Sequence, residues 1–134
     1  MQVDGVPMLS CAMLAASVAL DEENAGSPTA EGRGALPAST QGQPEITTVE
    51  GIAEHGALAA IQKAYGDWGG AQCGFCTPGF MCTVDALLAH NPDPSEAEVR
   101  EALSSNLCRC TGYEQMYQAV RAAVEAERRG RAAK

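Results

Sequence analysis

The sequence predicts a small, mainly α unit of four helices gathered around a four-cysteine centre. Three observations carry that prediction. Apolar residues recur every three or four positions in four successive segments from about residue 58 to residue 124. The breaks between these segments are short and hold Gly, Pro, Asn and Asp, as in a small bundle. Four of the six cysteines fall at two of those breaks, as Cys73 with Cys76 and Cys108 with Cys110.

The elements follow in chain order. Val3-Asp4-Gly5-Val6 predicts a tight hairpin turn, since Asp-Gly supports the positive φ angles such turns need. Cys11 to Leu20 is small and apolar, and fits a helix or a buried strand. Residues 21–45 hold four Gly and three Pro and almost no large apolar side chain, so they read as a flexible linker or insertion. Ile46 to Val49 is a brief strand-type run. Leu58, Ile61, Tyr65 and Trp68 then trace one face of a first helix. Phe80, Met81, Val84, Leu87 and Leu88 trace a second, with Pro78 suited to its first turn. Asn91-Pro92-Asp93-Pro94 breaks it. The third helix is capped either by Asp93, or by Ser95 with Glu98 three residues on; Val99, Ala102 and Leu103 form its inner face. A fourth runs from about Tyr113 past Val124, with Met116, Tyr117, Val120 and Val124 inward.

Composition narrows the function classes. With 17 acidic and 9 basic residues the net charge is −8, which argues against a nucleic-acid binder. From Arg121 to Lys134 five basic residues stand against two acidic, which suits a solvated helix end whose cations oppose the C-terminal dipole. No apolar run is long enough to span a bilayer, so no membrane partner is expected. Val6 to Leu20 has no Lys or Arg before it, and Asp4 sits where a signal peptide carries positive charge, so a cytoplasmic protein is expected. Two Phe, one Trp and three Tyr in 134 residues make a thin core, and a small domain of this kind needs a staple.

The cysteines supply one. The spacing is Cys-x2-Cys, 31 residues, then Cys-x-Cys. Four thiolates from two separated pairs suit a tetrahedral zinc ion or an iron–sulfur cluster. Cys76-Thr77-Pro78-Gly79 and Cys110-Thr111-Gly112-Tyr113 each lead into a helix. An oxidised two-iron cluster with four thiolates carries about −2, and free N–H groups at helix starts stabilise anions. Gly74 and Gly112 leave room for backbone N–H···S bonds. A Cys-x-Cys second pair between helices suits zinc less well, yet the spacing leaves zinc open. A thioredoxin-like site lacks its βαβ context, and a disulfide does not suit a reducing compartment. Cys82, on an apolar helix face, reads as a small core residue.

The segments QCGFCTPG (72–79) and NLCRCTGY (106–113) resemble the C-terminal helical domain of the small iron–sulfur subunit of molybdenum hydroxylases, the xanthine dehydrogenase and carbon monoxide dehydrogenase group. The similarity runs from about Glu45 to Val124 and also covers VDGVPMLSCAMLA at the start. It implies that Cys73, Cys76, Cys108 and Cys110 bind one [2Fe–2S] cluster, and that Gln72 and Cys110 lie against a molybdopterin cofactor. It implies partners too: a large molybdopterin-binding subunit and an FAD-binding medium subunit. The chain is then an electron-transfer subunit of a multi-subunit oxidoreductase, with no catalytic residue of its own; His55 and His90 are isolated.

The group also carries a plant-type ferredoxin (β-grasp) domain with a second [2Fe–2S] cluster. Cys11 matches the last of its four ligands, and the other three have no counterpart in this sequence. The expected organisation is therefore a remnant of that domain at 1–20, the linker at 21–45, the helical [2Fe–2S]-binding domain at 46–125 and a basic tail at 126–134. Cys11 is expected to be an orphan ligand. The alternatives are a helical zinc-binding interaction module and a non-functional truncated remnant.

Overall fold

The computed structural model describes residues 1–12, 45–53 and 59–132. A three-stranded antiparallel sheet is made of β1 (Gln2–Val3), β2 (Val6–Pro7) and β3 (Ile46–Thr47), in the order β2-β1-β3. Asp4 and Gly5 make the predicted turn with φ of 49° and 78°, and Val3 stands opposite Val6. On the other edge Val3 faces Ile46. Short 3-10 turns cover Ser10–Ala12 and Val49–Ile52.

Four helices follow: α1 (Ala60–Asp67), α2 (Thr77–His90), α3 (Glu96–Leu103) and α4 (Glu114–Ala132). The core is Ile61, Ala64 and Tyr65 from α1, Phe80, Met81, Cys82, Val84 and Leu88 from α2, Val99 and Leu103 from α3, and Met116, Ala119, Val120, Ala123 and Val124 from α4. The alanines of α4 let α1 lie close against it, which is how a sequence poor in aromatics still fills its interior. Cys82 is buried among them, as expected.

The sheet is clamped to this bundle by Gln2. Its Nε2 donates to the Cys82 carbonyl and to Asp85 Oδ2, both at 2.9 Å, so a buried amide is satisfied on α2. At the third helix Ser95, rather than Asp93, is the cap. Its amide donates to Glu98 Oε2 at 2.7 Å, and the Glu98 amide donates to Ser95 Oγ at 3.3 Å, a reciprocal capping box. Helix α4 continues through Ala132, so the basic residues from Arg121 to Arg131 are helical; Arg129 and Arg131 occupy its last turn.

Trp68 departs from the expected stripe. Helix α1 ends at Asp67, Trp68 takes φ −100° and ψ 4°, and the i+3 spacing no longer holds there. The side chain is 51% exposed, over a groove lined by Val99, Tyr117 and Val124. Leu58 and the segments 13–20 and 21–44 lie outside the described residues.

Candidate metal centre

The first cysteine pair is delivered by the way α1 ends. The Trp68 amide donates to the Ala64 carbonyl at 2.9 Å, Gly69 turns into the left-handed region (φ 65°), and the Gly70 amide reaches back to the Tyr65 carbonyl at 3.0 Å. This Schellman closure reverses the chain and frees Cys73 from the helix. Gly74 takes φ 80°, and its carbonyl accepts the Thr77 amide at 3.2 Å. Cys76 is thereby set as the N-cap of α2, with Pro78 in the first turn.

The second pair sits on the loop between α3 and α4, which is tied down at several points. Asn106 Nδ2 donates to Thr83 Oγ1 on α2 at 2.9 Å. Gly79 of α2 lies close to the same amide, since a Cβ there would come within 3.2 Å of Asn106 Oδ1. The Cys108 amide donates to the Tyr113 hydroxyl at 2.8 Å, and that hydroxyl donates to the Asn106 carbonyl at 3.3 Å. Gly112 and Tyr113 both adopt positive φ, 67° and 72°, just before α4 begins. Tyr113 holds this uncommon conformation with its ring against Phe80 and Tyr117 at centroid distances of 6.0 and 6.4 Å.

Across the gap Cys110 Sγ lies 3.5 Å from Cys73 Sγ, and Cys76 and Cys108 are near enough for each to shift the other's ionisation. Cys73 and Cys110 are exposed; Cys76 and Cys108 are half-buried and pack against the core. In each pair one thiol is lowered and the other raised. The Thr111 hydroxyl, 3.2 Å from Cys108 Sγ, together with the Thr111 amide, lowers the Cys108 thiol to about 7. The Phe75 amide, helped by the Cys110 thiol, lowers Cys73. Burial and the nearby Cys108 thiol push Cys76 up to about 11, and the bond to Cys73 pushes Cys110 up.

The amides of Phe75, Cys110 and Thr111 help to lower the thiols beside them. Gly74 and Gly112, named from sequence as the N–H···S donors, take positive φ in the same two loops. Sequence reasoning missed Thr111, Asn106 and Tyr113 as supports, and it read Tyr65 as core alone. All three lie inside NLCRCTGY (106–113), so the motif marked the segment without showing which of its side chains tie it down.

The donor set can be tested against the group. Among the described residues, no three His, Cys, Asp or Glu side chains are arranged to hold a single metal ion. A mononuclear zinc site needs four sulfurs about 2.3 Å from one point and so about 3.8 Å from one another. Cys73 Sγ and Cys110 Sγ, 3.5 Å apart, are spaced to share one metal ion, and four cysteines from two loops would supply two ligands to each iron of a two-iron cluster. The Thr111 hydroxyl beside Cys108 Sγ suits an anionic sulfur. Two buried side-chain oxygens among the described residues lack any partner, Tyr65 Oη and Thr77 Oγ1; Thr77 follows Cys76 directly. Gln72 is exposed beside Cys73, and Cys11 is exposed on the Ser10–Ala12 turn, in a groove it shares with Met8, Val49 and Pro78.

Among the described residues no helix is long and apolar enough to cross a membrane. Comparison with known proteins agrees with the geometry. The chain is 51% identical over 80 residues to the nicotinate dehydrogenase small FeS subunit of Eubacterium barkeri, a match covering 60% of this chain and 51% of that protein. It is 40% identical over 123 residues to caffeine dehydrogenase subunit gamma of Pseudomonas sp. (strain CBB1), covering 90% and 60%. The crystal structure of quinoline 2-oxidoreductase from Pseudomonas putida 86 superposes with a TM-score of 0.68 at 40% identity, over 96% of this chain and 66% of that one. The chain thus spans roughly half to two thirds of each relative's length. The family described as "[2Fe-2S] binding domain" matches residues 48–121, which contain both cysteine pairs and every tie that positions them: the chain belongs to that family.

Proposed function

We propose that Cys73, Cys76, Cys108 and Cys110 hold a [2Fe–2S] cluster, and that the chain is the electron-transfer subunit of a cytoplasmic molybdenum-containing hydroxylase or dehydrogenase. Its partners are a large molybdopterin-binding subunit, which donates electrons, and an FAD-binding medium subunit, which receives them. The cluster supplies one-electron redox chemistry. This chain's residues bind it, orient it and keep water from its inner side. Cys76 and Cys108 take the inner edge against the core; Cys73 and Cys110 take the outer edge.

One observation carries the electron-transfer reading. The outer thiols open directly onto the surface, and the loops that bear them expose two large apolar side chains, Phe75 at 93% and Leu107 at 85%. Exposed apolar groups beside a redox centre suit a docked partner that brings its own cofactor close. Gln72, exposed next to Cys73, then faces that partner together with Cys110.

The test is iron, zinc and acid-labile sulfide content of the anaerobically purified protein, with an EPR spectrum after reduction. About two irons and two sulfides for this site, with one S = ½ signal, is the expected result. One zinc without sulfide would overturn the reading and favour a zinc-held interaction module.

A further inference from the structure

Two buried side-chain oxygens among the described residues have no hydrogen-bond partner, and one of them is unusually confined. Tyr65 is 1% exposed, and its Oη is fully buried. Its ring lies against Gly70, where a Cβ would come within 2.9 Å of Cδ1, and its carbonyl accepts the Gly70 amide at 3.0 Å. The phenol therefore cannot swing to solvent. A buried hydroxyl is normally bonded, and one left without an acceptor marks a place where something else belongs. The half-buried Cys76 and Cys108 pack against the same core cluster that contains Tyr65. The second orphan, Thr77 Oγ1, lies next to Cys76 in the chain. Thiols are weak acceptors; thiolates and cluster sulfides are anionic and accept well.

We propose that the Tyr65 hydroxyl donates a hydrogen bond to sulfur on the Cys76–Cys108 side of the bound cluster and so raises its reduction potential. This rests on the four-cysteine ligand set proposed above. The physical cause is charge: the reduced cluster carries one more electron than the oxidised one, so a donor to sulfur stabilises it more. One electron enters, the proton stays on the phenol oxygen, and no bond breaks. A phenol keeps its proton at neutral pH and is therefore a donor there.

The experiment is an anaerobic EPR-monitored redox titration of the full chain in its assembly, wild type against Tyr65→Phe, with iron and sulfide counted in both. Equal cluster content and a reduction equilibrium constant lowered about tenfold, 59 mV for a one-electron couple, is the expected result. Equal content with an unchanged potential overturns the proposal. If Tyr65→Phe loads no cluster, 3-fluorotyrosine at position 65 decides, because it keeps the shape and donates more strongly. A more positive potential supports the bond, and an unchanged one overturns it. Wild-type protein lacking iron and sulfide would instead sink the ligand assignment, and the count separates that failure from a failure at Tyr65.

Discussion

The Tyr113 hydroxyl accepts the amide hydrogen of Cys108 at 2.8 Å and passes its own hydrogen to the Asn106 carbonyl at 3.3 Å. One side chain thus fixes the backbone on both sides of Leu107. Tyr113→Phe keeps the ring between Phe80 and Tyr117 and strands both backbone groups. The expected cost is about 1–3 kcal/mol, the penalty for leaving partly buried groups unpaired. Thermal unfolding of the cluster-loaded variant measures it, and iron should also leave faster to a chelator. A variant as stable as wild type that released iron at the same rate would show that the loop holds its shape without this bond.

Thiol reactivity follows from the sulfur pairing. Cys108 ionises near 7 because Thr111 donates to its sulfur, while Cys76 stays protonated until about 11. In the metal-free chain, iodoacetamide at pH 7.5 is expected to label Cys108 well before Cys76, with a rate that levels off above about pH 8. The sign of the linkage is that of a depressed acid. The ordinary thiol value is 9.0, so the stability Cys108 contributes is full above pH 9 and is lost as pH falls through about 7. Thr111→Val should slow the labelling at pH 7.5 and move its midpoint upward. Peptide mapping after timed alkylation checks both, and equal labelling of the two cysteines would contradict the pairing.

Phe75 and Leu107 offer a separate handle, since they are exposed and carry no part of the core. Replacing each by Asp is expected to leave iron and sulfide content unchanged and to weaken assembly with the proposed large subunit. Burying such a side chain is worth about 1.5–3 kcal/mol, so each change should weaken binding at least tenfold. Pull-down against the proposed large subunit, with cluster content measured alongside, is the assay. Undiminished binding by the double variant would remove this edge as the docking surface.

What could be read from the sequence was local in origin. Asp4-Gly5, Pro78, Ser95 with Glu98, and the two cysteine pairs each announce themselves within a few residues, because turns, caps and ligand pairs are short-range chemistry. Trp68 was misplaced because the helix period says nothing about where the helix stops; Gly69 decides that. The supports of the centre were hidden for a different reason. Asn106 finds Thr83 across 23 residues, and Gln2 finds Asp85 across 83. Those partners exist only once the helices have packed. Tyr65 read as core because its ring is core; only its oxygen says more.

Removing the iron tests how far the centre holds the fold. Cys76 and Cys108 are separated by 31 residues, and a crosslink closing a loop of that length is worth about 3–4 kcal/mol by the disulfide analogy. At about 4–8 °C per kcal/mol for a small domain, the apo chain should melt more than about 10 °C below the loaded one. Helical content by circular dichroism, followed with temperature before and after chelation, reads this out. An apo form melting within a degree or two of the loaded form would mean the helices hold together without the centre.

Gly70→Ala probes the corner that carries the chain from α1 to Cys73. A Cβ at position 70 would meet Tyr65 Cδ1 at 2.9 Å and Cγ at 3.1 Å. The two residues cannot move apart freely, because the Gly70 amide is bonded to the Tyr65 carbonyl. The ring must give instead, and it sits in a packed core between α1 and α4. Overpacking of this kind costs about 1–3 kcal/mol. Gly69→Ala is the comparison: it is strained by φ 65° but meets nothing within 4 Å, so it should cost about 1 kcal/mol without displacing Tyr65. Combining Gly70→Ala with Tyr65→Leu should cost less than the sum of the two single changes, because the smaller side chain relieves the clash. Combining Gly69→Ala with Tyr65→Leu should be additive. Additivity in both pairs would mean that the ring does not rest on Gly70, and would also undercut the confinement on which the proposed Tyr65 hydrogen bond depends.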